Sequence, residues 1–244
     1  MPASAELDCK TSSSSINIHL PVLGRDTPKF RPPPRDYVTH VQSTAGSIDG
    51  SFYLGTDGTF KSTSGGLRLT ILPVTQPESK SVVTSALQTD SKSGTTDVEI
   101  LDPIFLSLLP SDKNGAPSDV PEPYQPIGED DPYQLFPPPS ISEDMLETDA
   151  KRGIKEPKMR STQSTHASIS GSISVSYPQA WEGTISAKAI SGSLDVSGKG
   201  VQIIREKNGW GSKEVVAKKG VDNEGEGSSV NLHSIAGGLQ FRVS

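Results

Sequence analysis

Hydrophobic residues along this chain come in short bursts separated by Gly, Ser, Thr or Asp: Val38 and Val41, then Ile48, Phe52 and Leu54, then Phe60, Leu67, Leu69 and Ile71. Bursts this short, punctuated by glycine, predict strands and turns rather than helices. The pattern runs from Tyr37 to about Leu109 and returns from Ser161 to Ser244. In the second stretch, Val201 to Glu206 and Ser212 to Ala217 flank Asn208-Gly209, which predicts a β-hairpin with Trp210 close to its tip. The chain divides into a Ser/Pro-rich arm (1–36), a first β-rich part (37–109), an insert (110–160) and a second β-rich part (161–244) that forms one domain with the first. Within the arm, Ile16-Asn17-Ile18-His19-Leu20 alternates apolar and polar and suits one short edge strand. The rest of the arm, ending in Arg31-Pro32-Pro33-Pro34-Arg35, reads as flexible because proline lacks a backbone donor and serine competes for its own backbone.

The two β-rich parts repeat each other. Ser43 to Leu54 aligns position for position with Ser164 to Val175, and a shorter core recurs in Ile190 to Val196 and Ile235 to Phe241. Weaker copies start at Thr63 and Lys92. The consensus is apolar, any residue, Gly, small, apolar, any residue, apolar, centred on Gly50, Gly65, Gly94, Gly171, Gly192 and Gly237. Its period of two predicts Ile169, Gly171, Ile173 and Val175 on one face of one strand, with Ile190, Leu194 and Leu239 sharing the same interior. A unit that buries one narrow stripe needs neighbours, so the expected fold is all-β: a β-solenoid-like or layered β-sheet repeat domain. An antiparallel β-sandwich or barrel is the alternative, since closely spaced strands with turn signals predict that too.

These Ser-Gly-x-[Leu/Ile]-x-[Val/Leu] strands resemble those of adhesin-type β-repeat domains. The order of a Pro-rich arm, STAGSIDGSFYL, an insert, GTISAKAISGSLDVSGKGVQII, VVAKKG and LHSIAGGLQFRV is similar to that of a fungal family related to them. The resemblance covers roughly residues 37–109 and 161–244 and implies a stacked β-repeat sheet. It carries no catalytic residues over to this chain.

Composition changes the picture for the insert. It holds half of the chain's 20 prolines, and between Asp112 and Asp149 ten acids face the lone base Lys113. Such a segment cannot bury enough apolar surface to offset an ordering cost of roughly 1–2 kcal/mol per residue, so it is expected to be disordered, with a marginal helix at most over 140–150. A net charge of −6 with no Lys/Arg stripe excludes nucleic acid as a partner. No apolar run approaches the roughly 20 residues that span a bilayer, and Met1 to Ser15 lacks the apolar core of a secretory signal, so a cytoplasmic location is the default expectation. The single cysteine, Cys9, excludes an intrachain disulfide and reads as inert.

Candidate chemistry is sparse. His19, His40, His166 and His233 lack metal-ligand spacing, although His166 and His233 both precede a repeat core. Asp49, Asp97 and Asp195 flank repeat cores, where carboxylates suit calcium or acid/base glycan cleavage but more often serve as solubilising edge charge. No Gly-x-Ser-x-Gly elbow opens a helix, and no catalytic residue, metal or cofactor is implied. Four aromatics are candidate interaction residues. Tyr177 and Trp181 flank Pro178 and suit either stacking on a sugar or protein or capping the end of a sheet, while Tyr124 and Tyr133 sit in the tandem Pro-Tyr-Gln echo of the insert. The expected function is that of a non-enzymatic scaffold or adhesin-like interaction protein, engaging a protein partner or itself. A carbohydrate-binding or carbohydrate-cleaving β-helical protein is the alternative.

Overall fold

The computed structural model describes residues 4–19, 35–75, 84–105, 161–220 and 227–244. All the regular structure in them is strand, assembled into a nine-stranded and an eight-stranded sheet, and neither sheet closes on itself. Tyr124, Tyr133, the acidic insert and the 140–150 helix lie outside the described residues.

Each sheet takes one strand from each of seven strand pairs. In chain order they are β1 (Ser4–Thr11) with β2 (Ile16–Ile18), β3 (Asp36–Ala45) with β4 (Ile48–Leu54), β5 (Asp57–Ser64) with β6 (Leu67–Thr75), and β7 (Ser85–Ser93) with β8 (Thr96–Ile100). After the short β9 (Ile104–Phe105) come β10 (Thr162–Ser170) with β11 (Ile173–Tyr177) and β12 (Gly183–Ser191) with β13 (Leu194–Gly198). The hairpin β14 (Gln202–Gly209) and β15 (Ser212–Lys219) follows, then β16 (Ser228–Ala236) with β17 (Leu239–Val243). The first strand of every pair joins the nine-stranded sheet, in the order β1-β3-β5-β7-β10-β16-β12-β15-β14, and the second joins the other, in the order β13-β17-β11-β8-β6-β4-β2, with β9 beside β6 as its eighth strand. All pairings are parallel except those of the hairpin, β12 with β15 and β15 with β14. The antiparallel sandwich or barrel is thereby corrected: parallel pairing follows because the chain re-enters each sheet in the same direction after leaving it for the other. The last pair, β16–β17, lies between β10–β11 and β12–β13 in both sheets, so the C-terminus fills a gap left by earlier chain.

The repeat glycines make the passage from sheet to sheet. Gly171 separates β10 from β11 at φ 147°, a conformation disfavoured for residues with a Cβ. A Cβ there would strike the Gly94 carbonyl of the next pair, and one on Gly94 would meet Gly65 in the same way. Two hydrogen bonds tie each corner to its neighbour: Gly94 N–H donates to Ser170 at 3.1 Å and Thr96 N–H to Ser172 at 2.8 Å. The repeat unit is therefore not one strand but two strands around a corner, which corrects the single-face reading of Ile169, Gly171, Ile173 and Val175.

That correction shifts the phase of the core. Ser168 is 2% exposed whereas Ile169 is 48% exposed, because the inward position three residues before the corner belongs to serine. Ser43, Ser62, Ser91 and Ser234 repeat it, and Ala189 takes the place once. Ser62 Oγ donates to the Gly65 carbonyl at 3.1 Å, so the hydroxyl satisfies the corner it lies beneath. Ile190 and Ile235 are turned out with Ile169, and Leu194, on an edge strand, is only partly buried. Ile173, Val175 and Leu239 lie inside as expected. In the first copy the corner is Gly46 rather than Gly50, since Ser47 leads into Ile48 at the head of β4. Gly50 lies within β4, against the Ile18 backbone.

One core joins the inner faces of the two sheets, with Val41, Phe60, Leu87, Ile185 and Leu232 from the larger and Ile48, Leu67, Val98, Val175 and Phe241 from the smaller. Residues 4–18, expected within a flexible arm, carry β1 as well as the edge strand. Ala5, Leu7 and Cys9 alternate with Glu6, Asp8 and Lys10, and Cys9 packs against the core. The hairpin forms with Gly209 opposite Ser212, and its two-residue turn is Trp210-Gly211, with Gly211 at φ 89°.

Two outcomes follow. Gly171→Ala forces a methyl into the neighbouring backbone at a positive φ and should cost at least about 2 kcal/mol in urea unfolding, against little change for Gly209→Ala, whose Cβ has ordinary room. Truncation after Gly227 removes the pair between β10–β11 and β12–β13, and should abolish cooperative melting rather than shorten a stable stack; a truncated chain that melts as sharply as the whole one contradicts this order.

Candidate functional site

A concavity lies at the β1–β2 end, where strand lengths do not match. β2 stops at Ile18 opposite Gly50, while β4 continues to Leu54 and β1 runs on the facing sheet. The mismatch opens a cleft of about 340 Å³ between Leu7, Ile18 and Phe52, bordered by Tyr37, Tyr53 and Arg35. Its floor is apolar: Phe52 is buried against Phe60 with ring centroids 4.8 Å apart. Its rim is amphipathic, with the Tyr37 and Tyr53 rings tilted at 49° and 5.1 Å apart. Burial raises the Tyr37 phenol pKa, Tyr53 raises it further, and Arg35 opposes both; burial also raises that of Tyr53. The rings are therefore neutral hydroxyl-bearing walls at physiological pH. Glu6 and Arg35 add one charge of each sign. An apolar floor with a few polar groups at the rim is the chemistry of a binding cleft rather than of proton transfer. The strict alternation from Ala5 to Cys9 could have revealed this wall, but serine content around it dominated the reading of the arm.

Tyr177 and Trp181 are both fully buried. They pack on Phe241, with centroids 5.4 Å and 5.7 Å from it, and the Tyr177 hydroxyl bonds Ser164 Oγ at 2.5 Å. Lys219, itself buried, donates to the Trp181 carbonyl at 3.0 Å and to that of Gln179, fixing the loop over the rings. Burial lowers the Lys219 pKa and Glu182 opposes it. The pair therefore caps the core and offers no surface for a sugar or partner to stack on.

Asp49, Asp97 and Asp195 do share one outer row of the smaller sheet. Arg68 lies between Asp49 and Asp97 and pairs with Asp49 at 3.5 Å, while Ser174 and Gln240 separate Asp97 from Asp195. The intervening Arg68 engages Asp49 and separates it from Asp97, and Gln240 bonds Asp195, so no two carboxylates of the row face each other as an acid/base pair. His166 and His233 occupy adjacent strands but opposite faces, since His166 is buried and His233 is exposed opposite Ala167. Among the described residues no three His, Cys, Asp or Glu side chains gather as metal ligands.

His166 is the chemically unusual group. Thr89 Oγ1 lies 2.9 Å from its Nδ1, its Nε2 has no partner, and the unpartnered hydroxyls of Ser91 and Ser168 occupy the next inward positions of the same two strands. Burial pushes its pKa down from 6.5 to about 4, so the ring is neutral at physiological pH.

No family model, curated protein or solved structure matches the chain.

The sealed imidazole sets a pH dependence. The folded protein releases the His166 proton more readily than the unfolded chain, so the stability present above pH 6.5 falls as pH drops towards 4, by about 3 kcal/mol in total. Urea unfolding between pH 7 and pH 4 measures it, and His166→Gln should flatten that part of the profile; an unchanged slope in the variant removes His166 as its cause.

Proposed function

We infer that the chain is a non-enzymatic, β-solenoid-like scaffold that binds an extended segment of a partner protein at its β1–β2 end, in keeping with its adhesin-type resemblance. The supporting observation is the length mismatch there. Beyond Ile18, residues 51–54 of β4 have no strand on that side among the described residues, and they border an apolar cleft. An extended peptide meets both requirements at once: backbone hydrogen bonds along β4 and apolar side chains inserted between Leu7 and Phe52. The scaffold reading also accounts for the placement of polar groups. His166, Thr89 and Ser164 are sealed inside, where no substrate reaches them, and in the outer carboxylate row Arg68 lies between Asp49 and Asp97 and pairs with Asp49.

Panning a random-peptide library on the full chain tests this. Enrichment of peptides with alternating apolar residues is expected, with binding reduced at least about tenfold by Leu7→Asp, which places a charge in the cleft wall. Absence of enrichment, or peptides indifferent to Leu7→Asp in a protein that still melts cooperatively, contradicts it.

A further inference from the structure

A second surface lies at the other end of the strand order. Ser168, Ser234 and Ala189 are partners across β10, β16 and β12, as are Ser170, Ala236 and Ser191, so Ile169, Ile235 and Ile190 form one continuous row between them. Parallel strands lie roughly 4.8 Å apart, which makes the row a compact apolar ridge. The three side chains are 48%, 41% and 43% exposed on the outer face of the larger sheet, beside the glycine corners. The corresponding positions of β3, β5 and β7 are Thr44, Thr63 and Lys92, so the ridge is confined to the last three pairs.

The hairpin extends the same edge. Ala189 pairs with Lys213 and Gly183 with Lys219, which puts the turn between β14 and β15 at the corner end of the strands, the end that carries Ile190. At its tip Trp210 is fully exposed, and a Cβ on the adjoining Gly211 would project into open space. Charge is reversed here relative to the chain as a whole. Against an overall −6, residues 199–219 hold six Lys or Arg and two Glu, and one of those Glu is taken up by Arg205 at 2.5 Å. Lys92, Lys188, Lys207 and Lys213 are exposed around the ridge and tip.

We propose that this corner edge, the Ile169–Ile235–Ile190 ridge with the Trp210 tip, binds an anionic lipid surface. Two properties select a bilayer over a folded protein. The apolar groups project rather than line a groove, and a projecting side chain gains burial in a fluid medium that closes around it. The residue at the summit is tryptophan, whose amphipathic ring favours the headgroup level, and flanking lysines supply attraction to anionic headgroups. The tip inserts, the isoleucine ridge rests on the interface, and the lysines pair with headgroups. This surface is separate from the peptide cleft and does not depend on it.

Tryptophan emission of the full chain provides the test, since it has two tryptophans and Trp181 is already buried. Titration with phosphatidylserine/phosphatidylcholine vesicles should shift emission to the blue and sediment the protein with the vesicles. Pure phosphatidylcholine vesicles, or added salt, should weaken binding at least about tenfold. Trp210→Ser, at an exposed turn where folding is not at stake, should weaken sedimentation with anionic vesicles by a similar factor, as should Ile190→Ser with Ile235→Ser. Failure to bind anionic vesicles, equal binding by Trp210→Ser, or a blue shift as strong with poly-glutamate as with vesicles would overturn the proposal, the last by indicating an acidic protein partner.

Discussion

The corner glycine stacked on the next corner glycine governs this structure. A chain that must leave one sheet, cross to the other and leave room for an identical turn alongside has little tolerance at the crossing point. A Cβ on Gly65, Gly94, Gly171, Gly192 or Gly237 would lie closer than 3.0 Å to the backbone of the adjacent corner. The same contact that excludes side chains brings amides and carbonyls within bonding distance, so steric exclusion and hydrogen bonding are two sides of one geometry. Serine three residues earlier follows from it. The inward position beneath each corner holds a small residue, serine or once alanine, and a hydroxyl there can return a hydrogen bond to the corner carbonyl.

Because corners stack only on corners, placing one strand of a pair places the other, and the two sheets carry their pairs in the same order. This coupling lets the C-terminal pair enter between two earlier ones without breaking register. It also makes the contacts long-range, since β10–β11 and β12–β13 are joined only through the C-terminal pair between them. The hairpin supplies a different solution at the outer edge, where antiparallel β15 covers β12 and charged β14 faces solvent, a common defence of an exposed strand edge.

Much of this was legible from sequence. Glycine-punctuated bursts marked the strands, Ile16-Asn17-Ile18 marked an edge strand, and the hairpin was found with Trp210 at its tip, although the turn residues are one step further on than Asn208-Gly209. The sequence misled at the corner itself. Two-residue periodicity carries through a corner unbroken, so Ile169 and Ile173 look like neighbours on one face when Gly171 sends them to different sides. A positive φ leaves no mark in a hydropathy pattern, and a buried serine looks polar. The same blindness hid the cleft, because it arises from a difference in length between β2 and β4, which only pairing reveals. Tyr177 and Trp181 left two readings open, stacking on a partner or capping a sheet, and only Phe241, sixty-odd residues on, decides for the cap.

The functional readings inherit this geometry. With the interior sealed, the described residues offer an apolar cleft at the β1–β2 end and an apolar, basic edge at the other end of the strand order. Everything depends on the corners being mutually hydrogen-bonded. Amide hydrogen exchange followed by NMR tests that most directly. The amides of Gly46, Gly65, Gly94, Gly171 and Gly237, which donate to Ser64, Ser93, Ser170, Ala236 and Ser191, should exchange as slowly as those of the central strands, while the Gly211 amide at the hairpin tip exchanges freely. Corner amides that exchange as fast as Gly211 would show loops where this account requires a stacked column.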